Sequence, residues 1–223
     1  MFFKKSIENK QVIDLAYYVD FTLLDPRATD ADLEKLCDIA YKNGYYGVCV
    51  NPSNVKFVSG YNLKHFNSKL KIISVVGFPL GVNSTQTKIA EAKEVIENGA
   101  DEIDVVINIG RAKTGDFDYI KKEIEKIRKV TRRKILKIII ETCYFDENEI
   151  IKLAKICVAC KVDYIKTSTG FGIDGARKEI ISLIKKVVGT KCKIKASGGI
   201  KSREQAIEFI NLGASRIGTS TII

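Results

Sequence analysis

Short runs rich in Ile and Val recur about once every 30 residues along this chain, the length of one βαβ repeat. They predict strands at Val19–Leu24, Gly47–Val50, Lys71–Phe78, Glu102–Ile109, Ile135–Glu141, Asp163–Ser168, Cys192–Ser197 and Arg216–Thr219. Interiors of this composition suit parallel strands covered on both faces. Between them, apolar residues spaced by three and four predict helices at Asp32–Asn43, Thr85–Asn98, Phe117–Val130, Glu147–Cys160, Ala176–Val188 and Arg203–Leu212. A shorter helical piece is expected after Pro52, and Thr29 or Asp30 should cap the first helix. Strands and helices in strict alternation predict the α/β class and a (β/α)8 TIM barrel, one domain over residues 1–223. An open doubly wound sheet would carry a glycine-rich dinucleotide fingerprint after its first strand, but Leu24-Asp25-Pro26-Arg27 stands there. An extra N-terminal helix at about Ile7–Tyr18 is expected to cap the barrel bottom. The C-terminal end is short, stopping at Ile223 just after the last strand.

Composition removes several classes of function. No apolar run is long enough to span a membrane. Met1-Phe2-Phe3-Lys4-Lys5 has neither the long apolar segment nor the cleavage site of a signal peptide, so a cytoplasmic protein is expected. The net charge of +10 comes from lysines spread over nearly every helical segment, without interleaved stacking aromatics or a nucleic-acid motif. That pattern reads as a solvated surface, and its field would draw in a phosphorylated substrate. The six cysteines read as reduced thiols. Cys157 and Cys160 have redox or zinc spacing but lie in a helical pattern with no second pair. With His65 as the one histidine, histidine triads and His-rich metal sites have no material to work with. No metal and no organic cofactor is expected.

Two lysines stand out against that background. Lys166 and Lys195 each sit inside an apolar strand run, one βαβ repeat apart, each followed by Ser or Thr and then glycine. A lysine in such a run is costly unless it is used. On neighbouring parallel strands the two ammonium groups would oppose each other's charge and leave a free amine, which Schiff-base chemistry requires. In a barrel, active groups sit at the C-terminal strand ends. Reading those ends adds Asp20, Asp104 and Lys137 with Glu141, and an interior holding Asp104, Lys137, Lys166 and Lys195 has more cation than anion. A buried structural salt bridge is the alternative, but three lysines at the ends of three consecutive strands exceed what a core needs. A second constellation is glycine-rich: Thr169-Gly170-Phe171-Gly172, Ser197-Gly198-Gly199 and Gly218-Thr219-Ser220-Thr221 follow strands six, seven and eight. Backbone N–H groups of such loops cradle phosphate.

On these residues the chain resembles the deoxyribose-phosphate aldolases, a family of class I (Schiff-base) aldolases with a (β/α)8 barrel. The similarity runs from about Val19 to Thr221. Its most diagnostic segments are Ile165-Lys166-Thr167-Ser168-Thr169-Gly170-Phe171 and Lys195-Ala196-Ser197-Gly198-Gly199, supported by Gly99-Ala100-Asp101-Glu102-Ile103-Asp104 and Val48-Cys49-Val50-Asn51-Pro52. The resemblance implies reversible cleavage of 2-deoxy-D-ribose 5-phosphate to acetaldehyde and D-glyceraldehyde 3-phosphate. It implies Lys166 as the Schiff-base amine, Lys195 as its proton-transfer neighbour and Asp104 as general acid/base, with Lys137 and Asp20 in support. It assigns Gly170, Gly198, Gly199, Gly218 and Ser220, with Thr169 beside them, to phosphate, and Cys49 to the aldehyde pocket or to plain packing. Dimers are common in the family, so the resemblance also admits a homodimer. Two departures stand at Phe21 and Asp25, where many relatives carry His and Lys. Competing readings are another Schiff-base aldolase, or a catalytically weak barrel retained as a binding protein.

Overall fold

A computed structural model describes residues 13–223, in which eight parallel strands close into a barrel in chain order. The strands are β1 Val19–Leu23, β2 Gly47–Val50, β3 Lys71–Val76, β4 Glu102–Val106, β5 Ile135–Ile139, β6 Tyr164–Lys166, β7 Lys193–Ser197 and β8 Arg216–Thr219. Each pairs with the next, and β1 closes the ring on β8 through Asp20 opposite Gly218. The helices are α1 Asp30–Lys42, α2 Val55–Phe66, α3 Thr85–Glu97, α4 Ile109–Lys113, α5 Phe117–Val130, α6 Glu147–Ala159, α7 Lys178–Val188 and α8 Arg203–Asn211. Thr29 caps α1 in a reciprocal box with Asp32. No helix among the described residues is long and apolar enough to cross a membrane.

The core lies mainly between sheet and helices. Val48, Ile72, Ile103, Leu136, Ile165 and Ile194 point outward from six strands into one buried cluster with helix residues such as Leu33, Ile124 and Phe209. Each such side chain contributes about 1.5–3 kcal/mol by leaving water. The barrel interior holds a separate small apolar cluster, of Leu24, Cys49, Ile73 and Val75 with Phe78 packed on it. Val106 and Ile139 also face inward, on the faces of Asp104 and Lys137, and much of the rest of the interior is charged. A second buried ion pair lies outside the barrel wall, where Lys88 of α3 reaches Glu123 of α5 at 3.1 Å and Val106 O at 2.8 Å.

Differences from the expected boundaries collect at the C-terminal strand ends. Strands β3, β4, β5 and β6 stop two or three residues early, because the chain turns there to build loops. Gly77 takes φ +63, Asn108 caps the unforeseen short helix α4, and Glu141 takes φ +47. Pairing continues as single hydrogen bonds, such as Ile140 N–H to Lys166 O and Thr142 N–H to Thr167 O. α7 begins at Lys178 rather than Ala176 because Ala176 N–H is engaged by Gly198 O. Of the expected N-terminal helix, residues 7–12 lie outside the described residues. The described part is one 3-10 turn, Leu15–Tyr18, with Leu15 buried, and it packs against α8.

Candidate active site

Alternation along the strands turns every second side chain into the barrel. It places Asp20, Glu102, Asp104, Lys137, Lys166, Lys195 and Arg216 in one buried ionic cluster. Register does the rest: Asp104 stands opposite Lys137, Lys166 opposite Lys195, and Lys195 opposite Arg216. Asp104 is the hub. It accepts from Lys137 Nζ at 2.7 Å through Oδ1, and from Lys166 Nζ at 3.0 Å and Lys195 Nζ at 2.8 Å through Oδ2. Lys195 also donates to Asp20, Lys137 meets Glu102, and Arg216 spans Asp20 at 2.7 Å and Glu102 at 3.3 Å. Tyr46 donates its hydroxyl to Glu102 at 2.6 Å and stacks under the Arg216 guanidinium at 3.4 Å.

The electrostatics follow from that pairing. Burial alone would push the Asp104 carboxyl up, but Lys137, Lys195 and Lys166 together hold it well below the ordinary aspartate value of 3.8. Burial likewise opposes charge on Lys195, yet Asp104 and Asp20 more than compensate and raise it. Lys137 is raised for the same reason, by Asp104 and Glu102. Three carboxylates thus face four cationic side chains. Lys137, Lys195 and Arg216 each hold two carboxylates among the described residues, whereas Lys166 holds only Asp104. On its other side, Lys166 Nζ looks onto the Phe78 ring, 6.0 Å from the centroid.

A cavity of about 620 Å³ opens over this cluster at the C-terminal mouth of the barrel. Its wall comes from the loops after β1, β6, β7 and β8 and includes Thr169, Gly170, Gly198, Gly199, Gly218 and Ser220. The loops after β6 and β7 approach glycine to glycine: a Cβ on Gly198 would lie 3.0 Å from Gly175 Cα. Lys166 is the one cluster residue that lines this cavity, while Asp20, Asp104, Lys137 and Lys195 lie beneath it, fully buried. Cys49 is also fully buried, beside Ile73 and Val75, and does not line the cavity; burial pushes its thiol up. Arg27 and Lys201 stand at the mouth. Asp25 takes up Arg27 through a two-point ion pair, and the guanidinium's hydrogen bonds pull its carboxyl down to about 2. Among the described residues no group of three or more His, Cys, Asp or Glu is arranged to hold a metal ion.

Sequence reasoning brought together Lys166, Lys195, Asp104, Lys137 and Asp20, but missed Glu102, Arg216 and Tyr46. Parity was the available signal for Glu102, which precedes Asp104 by two residues on the same strand face.

Fold and cluster define a (β/α)8 barrel with a buried ionic cluster beneath a cavity at the C-terminal ends of its strands, the place where barrels of this kind carry active sites. Residues 12–219 match the DeoC/LacD family aldolases, and the chain belongs to that family. A deoxyribose-phosphate aldolase of Thermococcus gammatolerans is 49% identical over 94% of this chain and 93% of its own. The solved aldolase QR15 superimposes with a TM-score of 0.89 at 40% identity, covering 93% of this chain and 92% of that one. A deoxyribose phosphate aldolase from Aeropyrum pernix, described as a unique tetrameric structure, gives 0.85 at 32% identity, over 92% and 86% of the two chains.

Proposed function

We propose that this aldolase reversibly cleaves 2-deoxy-D-ribose 5-phosphate to acetaldehyde and D-glyceraldehyde 3-phosphate through a Schiff base on Lys166. One observation carries the assignment of the amine: among the described residues Lys166 alone joins the ionic cluster to the cavity, and it is the cluster's cation with a single carboxylate. Removing one proton from four cations facing three carboxylates leaves a neutral interior, which is the cheaper state for buried charge.

The free amine adds to the C1 aldehyde, and the carbinolamine loses water to give an iminium. The C3 hydroxyl gives up its proton, the C2–C3 bond breaks, and its electron pair flows into the iminium. D-Glyceraldehyde 3-phosphate leaves and an enamine remains. Protonation at C2 and hydrolysis then release acetaldehyde and restore Lys166. In this reading Lys195, whose charge the carboxylates hold in place, is the acid of the proton relay. Asp104, held ionised, is its base, reaching the substrate through water. Lys137 and Asp20 fix the pair from the sides. The glycine loops with Thr169 and Ser220 take the phosphate.

The substrate's phosphate charge bars free passage through membranes and supports a cytoplasmic enzyme. A homodimer is the assembly carried forward from the sequence, and sedimentation of the purified chain tests it against a tetramer. The amine assignment is tested by incubating the protein with acetaldehyde and borohydride and mapping the adduct by mass spectrometry. A reduced ethyl group confined to Lys166 is the expected result. Labelling spread evenly over surface lysines would remove the Schiff-base reading.

A further inference from the structure

Glu141, the second residue past β5, is fully buried, yet among the described residues no Lys or Arg pairs with it. Its backbone sits in the left-handed region at φ 47, ψ 67, a conformation that a non-glycine residue keeps only when its surroundings demand it. Those surroundings are the loop after β6. Both carboxylate oxygens accept from Thr169 N–H at 3.2 Å, and the Thr169 hydroxyl donates to Oε2. That hydroxyl in turn accepts from Phe171 N–H at 3.0 Å. Gly172 packs against the carboxylate so closely that a Cβ there would lie 3.2 Å from Glu141 Cδ. Phe171 itself lies edge-on to Phe78, with ring centroids 5.3 Å apart.

We infer that Glu141 is a positioning residue: it anchors the Thr169–Gly172 loop so that Thr169 and Gly170 hold the phosphate side of the cavity wall. The inference rests on the aldolase reading for its substrate. Without the carboxylate, the buried Thr169 N–H has no partner, and the loop's remaining tie to β5 is backbone pairing at Thr142. Lys166 keeps its own partner, Asp104, in either case. Burial raises the Glu141 carboxyl, with the Thr169 hydrogen bonds and Lys166 opposing, which marks this as a carboxylate kept for its contacts at a cost.

The test compares Glu141→Ala and Glu141→Gln with wild type on 2-deoxy-D-ribose 5-phosphate and on unphosphorylated 2-deoxy-D-ribose. Glu141→Ala is expected to raise KM for the phosphorylated sugar about tenfold or more, well beyond its effect on the plain sugar. Glu141→Gln keeps an acceptor for Thr169 N–H and is expected to recover most of that loss. A second readout is independent of the substrate. Phe171 is exposed and flanked by glycines, so chymotrypsin cleavage after it should accelerate about tenfold in a folded Glu141→Ala protein. If that variant does not fold, Thr169→Val, which keeps the N–H and loses the hydroxyl, is expected to accelerate the cleavage in smaller degree, and the cleavage rate decides there because Thr169 itself lines the cavity. The inference is overturned if both sugars lose equally, if kcat falls with KM unchanged, or if Glu141→Gln is as impaired as Glu141→Ala. Should wild type fail on both sugars, the aldolase reading falls, and the cleavage rate still decides whether Glu141 holds the loop.

Discussion

Lys166 and Lys195 stand opposite each other on adjacent strands and share one oxygen atom, Asp104 Oδ2, at 3.0 and 2.8 Å. Lys195 has a second carboxylate, Asp20, and among the described residues Lys166 has none. Two chemically identical side chains are thereby placed differently: one is held between two carboxylates beneath the cavity, and the other faces the cavity with one. A pair of titratable groups in divergent environments is the arrangement from which acid and base roles arise.

Lys166→Ala removes the proposed nucleophile while leaving Asp104 held by Lys137 and Lys195. Turnover should fall by roughly 10⁴-fold or more, with the circular dichroism spectrum and melting temperature close to wild type. Acetaldehyde release measured on the purified variant checks this, and near-normal rates would end the Schiff-base account.

Lys195→Leu takes away a buried cation that serves Asp20 and Asp104 together. Breaking such a pair costs about 3–5 kcal/mol, so the denaturation midpoint should drop. Turnover should fall by roughly 10²-fold or more as well, since Lys195 is the proposed acid of the relay. Near-normal turnover in a folded variant would remove Lys195 from the relay.

The barrel was legible in the sequence because its outward-facing Ile and Val residues must repeat with the βαβ period, and glycine or a polar cap punctuates each repeat. The lysines were legible because a charge inside an apolar run is an exception that needs a reason. What escaped was the balance of the cluster. Arg216 and Glu102 lie at the start of their strands, where an exposed end is the ordinary expectation, and only barrel closure carries them inside. The early ends of β5 and β6 were hidden for a similar reason. Glu141 continues an apolar run in sequence, and its left-handed turn is imposed by Thr169, a residue 28 positions away.

Acid stability should report the same cluster. Burial would raise Asp20 and Asp104, but Lys195 with Arg216, and Lys137 with Lys195, bring them below 3.8 in the folded protein. As pH falls, the unfolded chain takes up these two protons first. Their contribution is therefore complete above about pH 5 and lost as pH drops through 3.8 toward the folded values. Glu141, raised by burial, works in the opposite sense. Urea midpoints should be level from pH 7 to about 5 and decline below that. Asp104→Asn should start lower and decline less steeply; a slope equal to wild type would mean that Asp104 titrates normally.

The two glycines after β7 separate backbone strain from crowding. Gly198 and Gly199 both have positive φ, at 87° and 74°, so alanine at either site costs about 1–2 kcal/mol. A Cβ on Gly199 meets nothing within 4 Å, whereas one on Gly198 would lie 3.0 Å from Gly175 Cα and 3.3 Å from Ser168 Cβ. Gly175 belongs to the loop that follows β6, and Ala176 N–H is bonded to Gly198 O, so that loop cannot yield without shifting Gly198 itself. Both variants should lose about 2–4 °C of melting temperature per kcal/mol. Gly198→Ala should also raise KM for the phosphorylated sugar several-fold more than Gly199→Ala, because it forces apart two walls of the cavity. Equal KM values in the two variants would mean that the contact between these loops does not shape the phosphate site.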